Sequence, residues 1–215
     1  GREQMESSRL ARLPWVRYAE PNYIYRATGI DGEARYPTDP GFGQQWNMRR
    51  VAGPDAWAVT RGSYAVTVAV VDSGIDRSHP EFQGRLAQGY DFVNDDYDPQ
   101  DDYGHGTHVA GILAAAADNG QGISGLAPGV RLLPYKALDA QGNGDSLTLA
   151  IAIYAAANAN AQIINLSLGG PYPSSPIADA VQYATGEKHA LVVAAGGNCA
   201  QGGPACSYNV NGDFY

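Results

Sequence analysis

Cysteine is scarce in this sequence. The 215 residues include two, Cys199 and Cys206, which stand seven apart in one loop rich in Gly and Pro. No second Cys/His pair stands near them, so their spacing does not indicate a zinc site. The spacing suits one small disulfide and therefore a secreted, extracellular protein. Two free thiols are the alternative.

Basic residues and long apolar runs are also few. Lys and Arg number 14 against 22 Asp and Glu, for a net charge of −8. Nucleic acids and anionic membranes are bound by clustered Lys and Arg, so neither is expected as a partner. The longest apolar runs, in YAVTVAVVDSG and ALVVAAGG, fall far short of the roughly 20 residues of a membrane helix and predict buried parallel strands instead.

What the sequence does contain is a regular alternation of strand-like and helix-like segments. From VTVAVVDSG to ALVVAAGGN, four apolar strand patterns alternate with three helical ones. This order predicts βαβ units, and hence an α/β fold with a doubly wound parallel sheet. Functional residues of such folds gather just past the carboxyl ends of the strands.

Chemically useful side chains stand at those positions. Asp72 follows the first strand, His105 begins the first helix and Asn198 follows the last strand. A carboxylate, an imidazole and an amide are the groups that acyl transfer needs. Taken singly, Asp72 also reads as a helix cap and His105 as a structural residue. The glycines around His105 predict close backbone approach, and they leave the helix without a capping side chain, which predicts a weak helix start.

The surrounding residues narrow these alternatives. The blocks VAVVDSGIDRSHPEF, GHGTHVAGILAA, INLSLGG and VVAAGGN resemble, in order and spacing, those of the subtilases, the subtilisin-like serine proteases, and among them the thermitase subfamily. Asp72 and His105 lie 33 residues apart, and His105 and Asn198 lie 93 apart. The resemblance extends from about Asp39 onward. A zinc site built on His105 and His108 lacks a third ligand at suitable spacing.

The resemblance implies a subtilisin-type fold and a serine endopeptidase. Asp72 would orient His105, His105 would act as general base and then acid, and Asn198 would donate to the oxyanion. Extended peptide or protein substrates would lie between two edges of a cleft and reach a roomy pocket. The residues implied are Gly142, Asn143 and Gly144 for one edge, Ser167, Leu168 and Gly169 for the other, and Ala195, Gly196 and Gly197 for the pocket.

The leading residues differ from the rest of the chain. VRYAEPNYIYRA resembles the end of a subtilase propeptide, which assists folding and occupies the cleft until it is cut. We therefore predict a propeptide end at 1–28, an N-terminal arm of the mature protease at 29–61 and a partial catalytic domain at 62–215. Its own propeptide would be a partner of the protease, which we expect to be a monomer when complete. An ordinary N-terminal arm is the alternative.

Acidic residues suggest structural calcium. Residues 91–103 include six aspartates, and such a density of carboxylates is either solvated or bound to a cation. By resemblance to thermitase, one calcium ion would use Asp91, Asn94, Asp96, Asp98 and Gln100, and a second would use Asp39, Glu81 and Asn119. Glu81 departs from the family, in which Asp is usual.

The nucleophile of the family is missing from the sequence. It lies in a G-T-S-x-A-x-P block, and no such block occurs here. We therefore expect an N-terminal part of a protease, without its C-terminal strands and nucleophile helix, that is inactive by itself. The alternative is a truncated pseudo-protease that binds peptides or a partner. Retention of both Asp72 and His105 disfavours this alternative, because a binding module has no use for a proton relay.

Overall fold

The computed structural model describes residues 2–17, 19, 36–170 and 172–197. The chain divides into two compact units, 1–31 and 32–215. The first contains helix α1 (Arg2–Leu10), on which Arg9 Nε lies 3.1 Å from Glu6 Oε1. The predicted boundaries of the propeptide end (1–28), the N-terminal arm (29–61) and the partial catalytic domain (62–215) remain a prediction. Cys199, Cys206 and the predicted site residue Asn198 lie outside the described residues.

The second unit is built on a parallel sheet. Its five strands lie in the order β2-β3-β1-β4-β5. They are β1 (Thr67–Asp72), β2 (Tyr90–Asp91), β3 (Arg131–Lys136), β4 (Ile163–Leu166) and β5 (Leu191–Ala194). All six residues of β1 are buried because neighbouring strands flank it and helices cover both faces. The predicted α/β fold with a parallel sheet is confirmed.

Helices pack on both faces of this sheet. The helices of the second unit are α2 (Trp46–Arg50), α3 (Gly53–Ala56), α4 (His105–Ala114), α5 (Ser146–Asn158) and α6 (Ser175–Gly186), with 3₁₀ turns at Phe42–Gln44 and Pro80–Phe82. Of these, α4, α5 and α6 pack against the sheet. Alternate residues of β1 face opposite sides. Ala69 and Val71 join the core under α5 and α6, whereas Val68 and Val70 join the core under α4. The sheet is therefore doubly wound.

The strand order places particular loops side by side. Strand β1 lies between β3 and β4, so the chain after Asp72 leaves the sheet between the segments that lead to 142–144 and to 167–169. At one end of the described sheet, β5 exposes Leu191 and Val193 to 60% and 45%. No helix of the described residues has the length and apolar character that crossing a membrane requires.

Candidate active site

The structure joins Asp72 to His105. Nδ1 of His105 lies 2.8 Å from Oδ1 of Asp72, which also accepts the amide of Ser73 at 2.7 Å. The carboxylate is fully buried, whereas the imidazole is 40% exposed. Pairing with a carboxylate assigns the Nδ1–H tautomer to the neutral ring. The second ring nitrogen, Nε2, has no hydrogen-bond partner in the described part of the chain, and its lone pair is available to take a proton.

Two glycines around His105 serve different purposes. A Cβ on Gly106 would lie 2.1 Å from the carbonyl oxygen of Gly74 and 3.1 Å from Cβ of Asp72. A side chain there would push helix α4 away from the end of β1, so the predicted close approach is confirmed at Gly106. Gly104 has open space around it but a φ of 97°, a left-handed conformation that favours glycine.

The start of helix α4 is not weak, and the sequence-based prediction on this point is wrong. Asp101 accepts the amides of Gly104 at 2.8 Å and Thr107 at 2.9 Å. The Ser73 hydroxyl accepts the amide of Gly106 at 2.9 Å and donates to Asp101 at 2.8 Å. The helix is therefore capped by side chains from outside the capping position. An acidic residue four positions before His105 was a signal for this arrangement, because anions favour helix N-termini.

Asp101 is held ionised by this network. Burial by itself would raise its pKa, but hydrogen bonds from the Thr107 hydroxyl, the amides of Gly104 and Thr107, and the Ser73 hydroxyl outweigh burial and lower it. The carboxylate links the segment before His105 to the residue after Asp72. It therefore connects the two elements whose ends form the Asp72–His105 pair.

One predicted substrate edge lies next to the His105 segment. Asp139 closes the 139–143 loop, since its amide donates to Asn143 O and its Oδ1 accepts the Asn143 amide, each at 2.8 Å. Gly142 has a φ of 76°, and a Cβ there would lie 2.7 Å from the ring of Tyr103, two residues before His105. The structure therefore brings Gly142 against the loop that leads into α4.

The other predicted edge follows β4. Ser167 and Leu168 are half-buried and Gly169 is exposed. The Ser167 hydroxyl accepts Nδ2 of Asn165 at 2.9 Å, and Leu168 packs against the core under α5 and α6. Residues 195–197, predicted to line a pocket, are exposed after β5. Both edges therefore lie at the carboxyl end of the sheet, on either side of Asp72.

Comparison with known proteins assigns the family. Residues 63–212 match the subtilase family. The chain belongs to the subtilases. It is 43% identical over 185 residues to the thermophilic serine proteinase of Bacillus sp. (strain AK1), a match that covers 86% of this chain and 45% of that protein.

Two further similarities agree with this assignment. Thermitase of Thermoactinomyces vulgaris is 41% identical over 169 residues, 78% of this chain and 60% of thermitase. The solved structure of sphericase superposes with a TM-score of 0.64 at 37% identity, over 71% of this chain and 52% of that chain. This subtilase chain thus spans about half the length of the relatives it matches.

The predicted metal-ligand set of Asp39, Glu81 and Asn119 in this subtilase is brought together. Asp39 and Glu81 are each 4% exposed. The amide of Asn119 donates to Asp39 Oδ1 at 3.0 Å, and its side-chain Nδ2 donates to Glu81 Oε2 at 2.9 Å. Glu81 Oε1 is buried and has no hydrogen-bond partner among the described residues. The longer side chain of Glu therefore reaches the loop that Asp39 organises.

The other predicted set, in the acidic loop at 91–100, is divided between two clusters. Asp91 is buried, and its Oδ2 accepts Nδ2 of Asn94 at 2.9 Å. Asp98 instead forms a 3.0 Å salt bridge with Arg77, whose amide donates to Oε1 of Gln100 at 3.1 Å. Oδ1 of Asp96 accepts the Asp98 amide at 2.8 Å. In the described ranges, no three His, Cys, Asp or Glu side chains are grouped so as to hold a metal. Calcium there would need amide and carbonyl oxygens as well.

Proposed function

We propose that this chain carries the Asp–His part of a serine endopeptidase site. The observation that supports it is the buried Asp72 carboxylate 2.8 Å from Nδ1 of a partly exposed His105. A buried acceptor on Nδ1 holds the ring in one tautomer and stabilises the imidazolium once Nε2 takes a proton. Membership of the subtilases supports the same reaction.

The proposed reaction proceeds through an acyl-enzyme. His105 Nε2 takes the proton of a serine hydroxyl as the serine oxygen bonds to the scissile carbonyl carbon. The Asn198 amide donates to the resulting oxyanion, and His105 then returns the proton to the leaving amine. A water molecule, deprotonated by His105 in the same way, then attacks the acyl-enzyme and releases the carboxylic acid product and the serine. The G-T-S-x-A-x-P block that would supply this serine is not among the 215 residues, so this chain alone is expected not to hydrolyse peptides.

The proposed substrates are extended peptides and proteins. The two loop edges at 142–144 and 167–169 flank the end of β1, and a peptide between them would pair with backbone as an added strand. The chain's own propeptide, whose end we predict at 1–28, would be a partner of the complete protease. A disulfide between Cys199 and Cys206, and secretion, belong to this proposal.

The test begins with the DNA that follows the codon for Tyr215. If an in-frame G-T-S-x-A-x-P block follows, the extended chain should cleave a chromogenic peptide amide and be labelled by a fluorophosphonate at the new serine. The His105→Ala variant should lose both activities, whereas Asp179→Asn, on the exposed side of α6, should retain them. A stop codon at once, or peptide binding without cleavage by the extended chain, would favour the pseudo-protease.

Structural calcium is the second part of the proposal. Glu81 Oε1, a buried carboxylate oxygen that no described donor faces, fits a hard cation. Asn119 lies beside it and Asp39 holds the same loop through the amides of Asn119 and Gly120. A cation bound to the folded chain would offset the cost of burying two carboxylates. Calcium in the acidic loop at 91–100 is proposed on resemblance alone.

Thermal unfolding with calcium or a chelator tests the Glu81 site. Saturation to about 100 times Kd stabilises a protein by about 2.7 kcal/mol. In a chain of this size we therefore expect Tm to rise by roughly 5–11 °C. Glu81→Gln should lose most of this rise, and Glu187→Gln, an exposed residue after α6, should keep it. An equal rise in Glu81→Gln and wild type would contradict the site.

A further inference from the structure

A buried lysine lies next to the Asp72–His105 pair. Lys136 ends β3, where it is in register with Asp72 of β1 on one side and Asp91 of β2 on the other. The residue is 1% exposed. A buried ammonium is strongly unfavourable unless hydrogen bonds and opposite charge compensate it. The contacts of Lys136 therefore show what holds it there.

Its three N–H donors are taken by three acceptors, two of which lie in other segments of the chain. Nζ donates to the carbonyl oxygens of Ser73 and Leu138, each at 3.1 Å, and to Oδ1 of Asp102. Ser73 follows Asp72, Asp102 lies three residues before His105, and Leu138 begins the segment that leads to Gly142–Gly144. An ammonium has three donors, so no N–H is left over.

The charges around Lys136 make this contact important. Asp72 and Asp91 are buried beside it, and Asp101 and Asp102 stand in the segment before His105. Without a cation, these carboxylates would repel one another and drive the 101–104 segment away from the end of β1. Lys136 holds that segment through the Asp102 carboxylate while it holds β1 through the Ser73 carbonyl.

We propose that Lys136 is a positioning residue for His105, acting through Asp102 and Ser73. This inference rests on the proposed function. Among the described residues, no hydrogen bond joins Lys136 to the ring of His105. Lys136 sets the distance between the two elements that carry Asp72 and His105. Removal of the Lys136 ammonium should break the hydrogen bond between His105 Nδ1 and Asp72, although neither of these two residues is changed.

The ring tautomer of His105 in the 215-residue chain tests this role. Nitrogen NMR at mildly alkaline pH distinguishes the Nδ1–H form, which Asp72 selects, from the Nε2–H form that a free imidazole favours. The His105→Gln spectrum assigns the signal. Wild type should show Nδ1–H, and Lys136→Met, of similar length but uncharged, should shift the ring toward Nε2–H. If Lys136→Met only removed a charge and left the His105–Asp72 hydrogen bond intact, the ring would keep its Nδ1–H tautomer.

A partner variant covers the case in which Lys136→Met fails to fold. The Asp102 side chain is 47% exposed, so Asp102→Ala removes the acceptor at little cost to packing and should shift the tautomer in the same direction. The matched control Asp179→Ala, an exposed carboxylate on α6, should leave it unchanged. An unchanged tautomer in folded Lys136→Met or in Asp102→Ala would overturn the role of Lys136. A wild-type ring without the Nδ1–H preference would overturn the proposed catalytic pair itself.

Discussion

Two glycines of helix α4 should respond in opposite ways to the same substitution. A Cβ at Gly106 would lie 2.1 Å from the Gly74 carbonyl oxygen. Relieving that contact requires a displacement of about 1 Å, because heavy atoms that are not bonded rest at more than 3 Å. If His105 moves with its neighbour Gly106, the same displacement lengthens the 2.8 Å hydrogen bond between His105 Nδ1 and Asp72 beyond hydrogen-bond range.

The magnitude for Gly106→Ala follows from these terms. Overpacking costs about 1–3 kcal/mol and loss of a hydrogen bond to a charged group costs about 1.5–3 kcal/mol. Alanine recovers about 1 kcal/mol of helix propensity. The net loss is about 3 kcal/mol, which lowers Tm by roughly 6–12 °C in a chain of this size.

Gly111→Ala is the matched control in the same helix. A Cβ there would lie 3.8 Å from Cδ1 of Ile123, an ordinary contact. The substitution should raise the free energy of unfolding by about 0.5–1 kcal/mol, and Tm by a few degrees. Thermal unfolding followed by circular dichroism measures both variants. Shifts of the same sign, or a Gly106→Ala variant as stable as wild type, would refute the reasoning.

Two further predictions concern acidic caps. Asp145 accepts the amides of Leu147 and Thr148 at the start of α5, each at 2.9 Å, so Asp145→Ala should lower the free energy of unfolding by about 1 kcal/mol, measured by urea denaturation. The folded-state pKa of Asp101 is lowered from its ordinary value of 3.8. The contribution of Asp101 to the free energy of unfolding is therefore complete above pH 3.8 and is lost as the pH falls through the folded-state pKa. Asp101→Asn should therefore be less stable than wild type at neutral pH, with the difference shrinking as the pH falls below 3.8, by urea midpoints over an acid series. A difference that stayed constant with pH would count against this assignment.

The pattern of strands and helices was predictable because it depends on the order of residues within each short segment. Apolar runs such as VTVAVV and the helix-forming sequences of α5 and α6 are contained within single elements. The parallel order then follows from the βαβ alternation. Asp72 and His105 were found in this way, since each stands at the end of its element, where a parallel sheet collects functional groups.

The short strand β2 and the capping groups of helix α4 could not be predicted from the sequence. Strand β2 has two residues, and no periodicity can be recognised in so short a segment. The glycines around His105 predicted a weak helix start, but its capping groups come from Asp101 and Ser73. Ser73 lies 33 residues from Gly106 in the chain, so its contact depends on how β1 meets α4.

By itself, the sequence determined the longer strands and helices and the family, because these are properties of local patterns, and it predicted that Asp72 and His105 lie at the same edge of the sheet. The tertiary structure decided what surrounds those residues. Asn119 and Asp39 meet across 80 residues, and Lys136 meets Ser73 across 63. Buried charges are paired by contacts of this kind, and the partner of a buried charge is set by three-dimensional packing rather than by its neighbours in the chain.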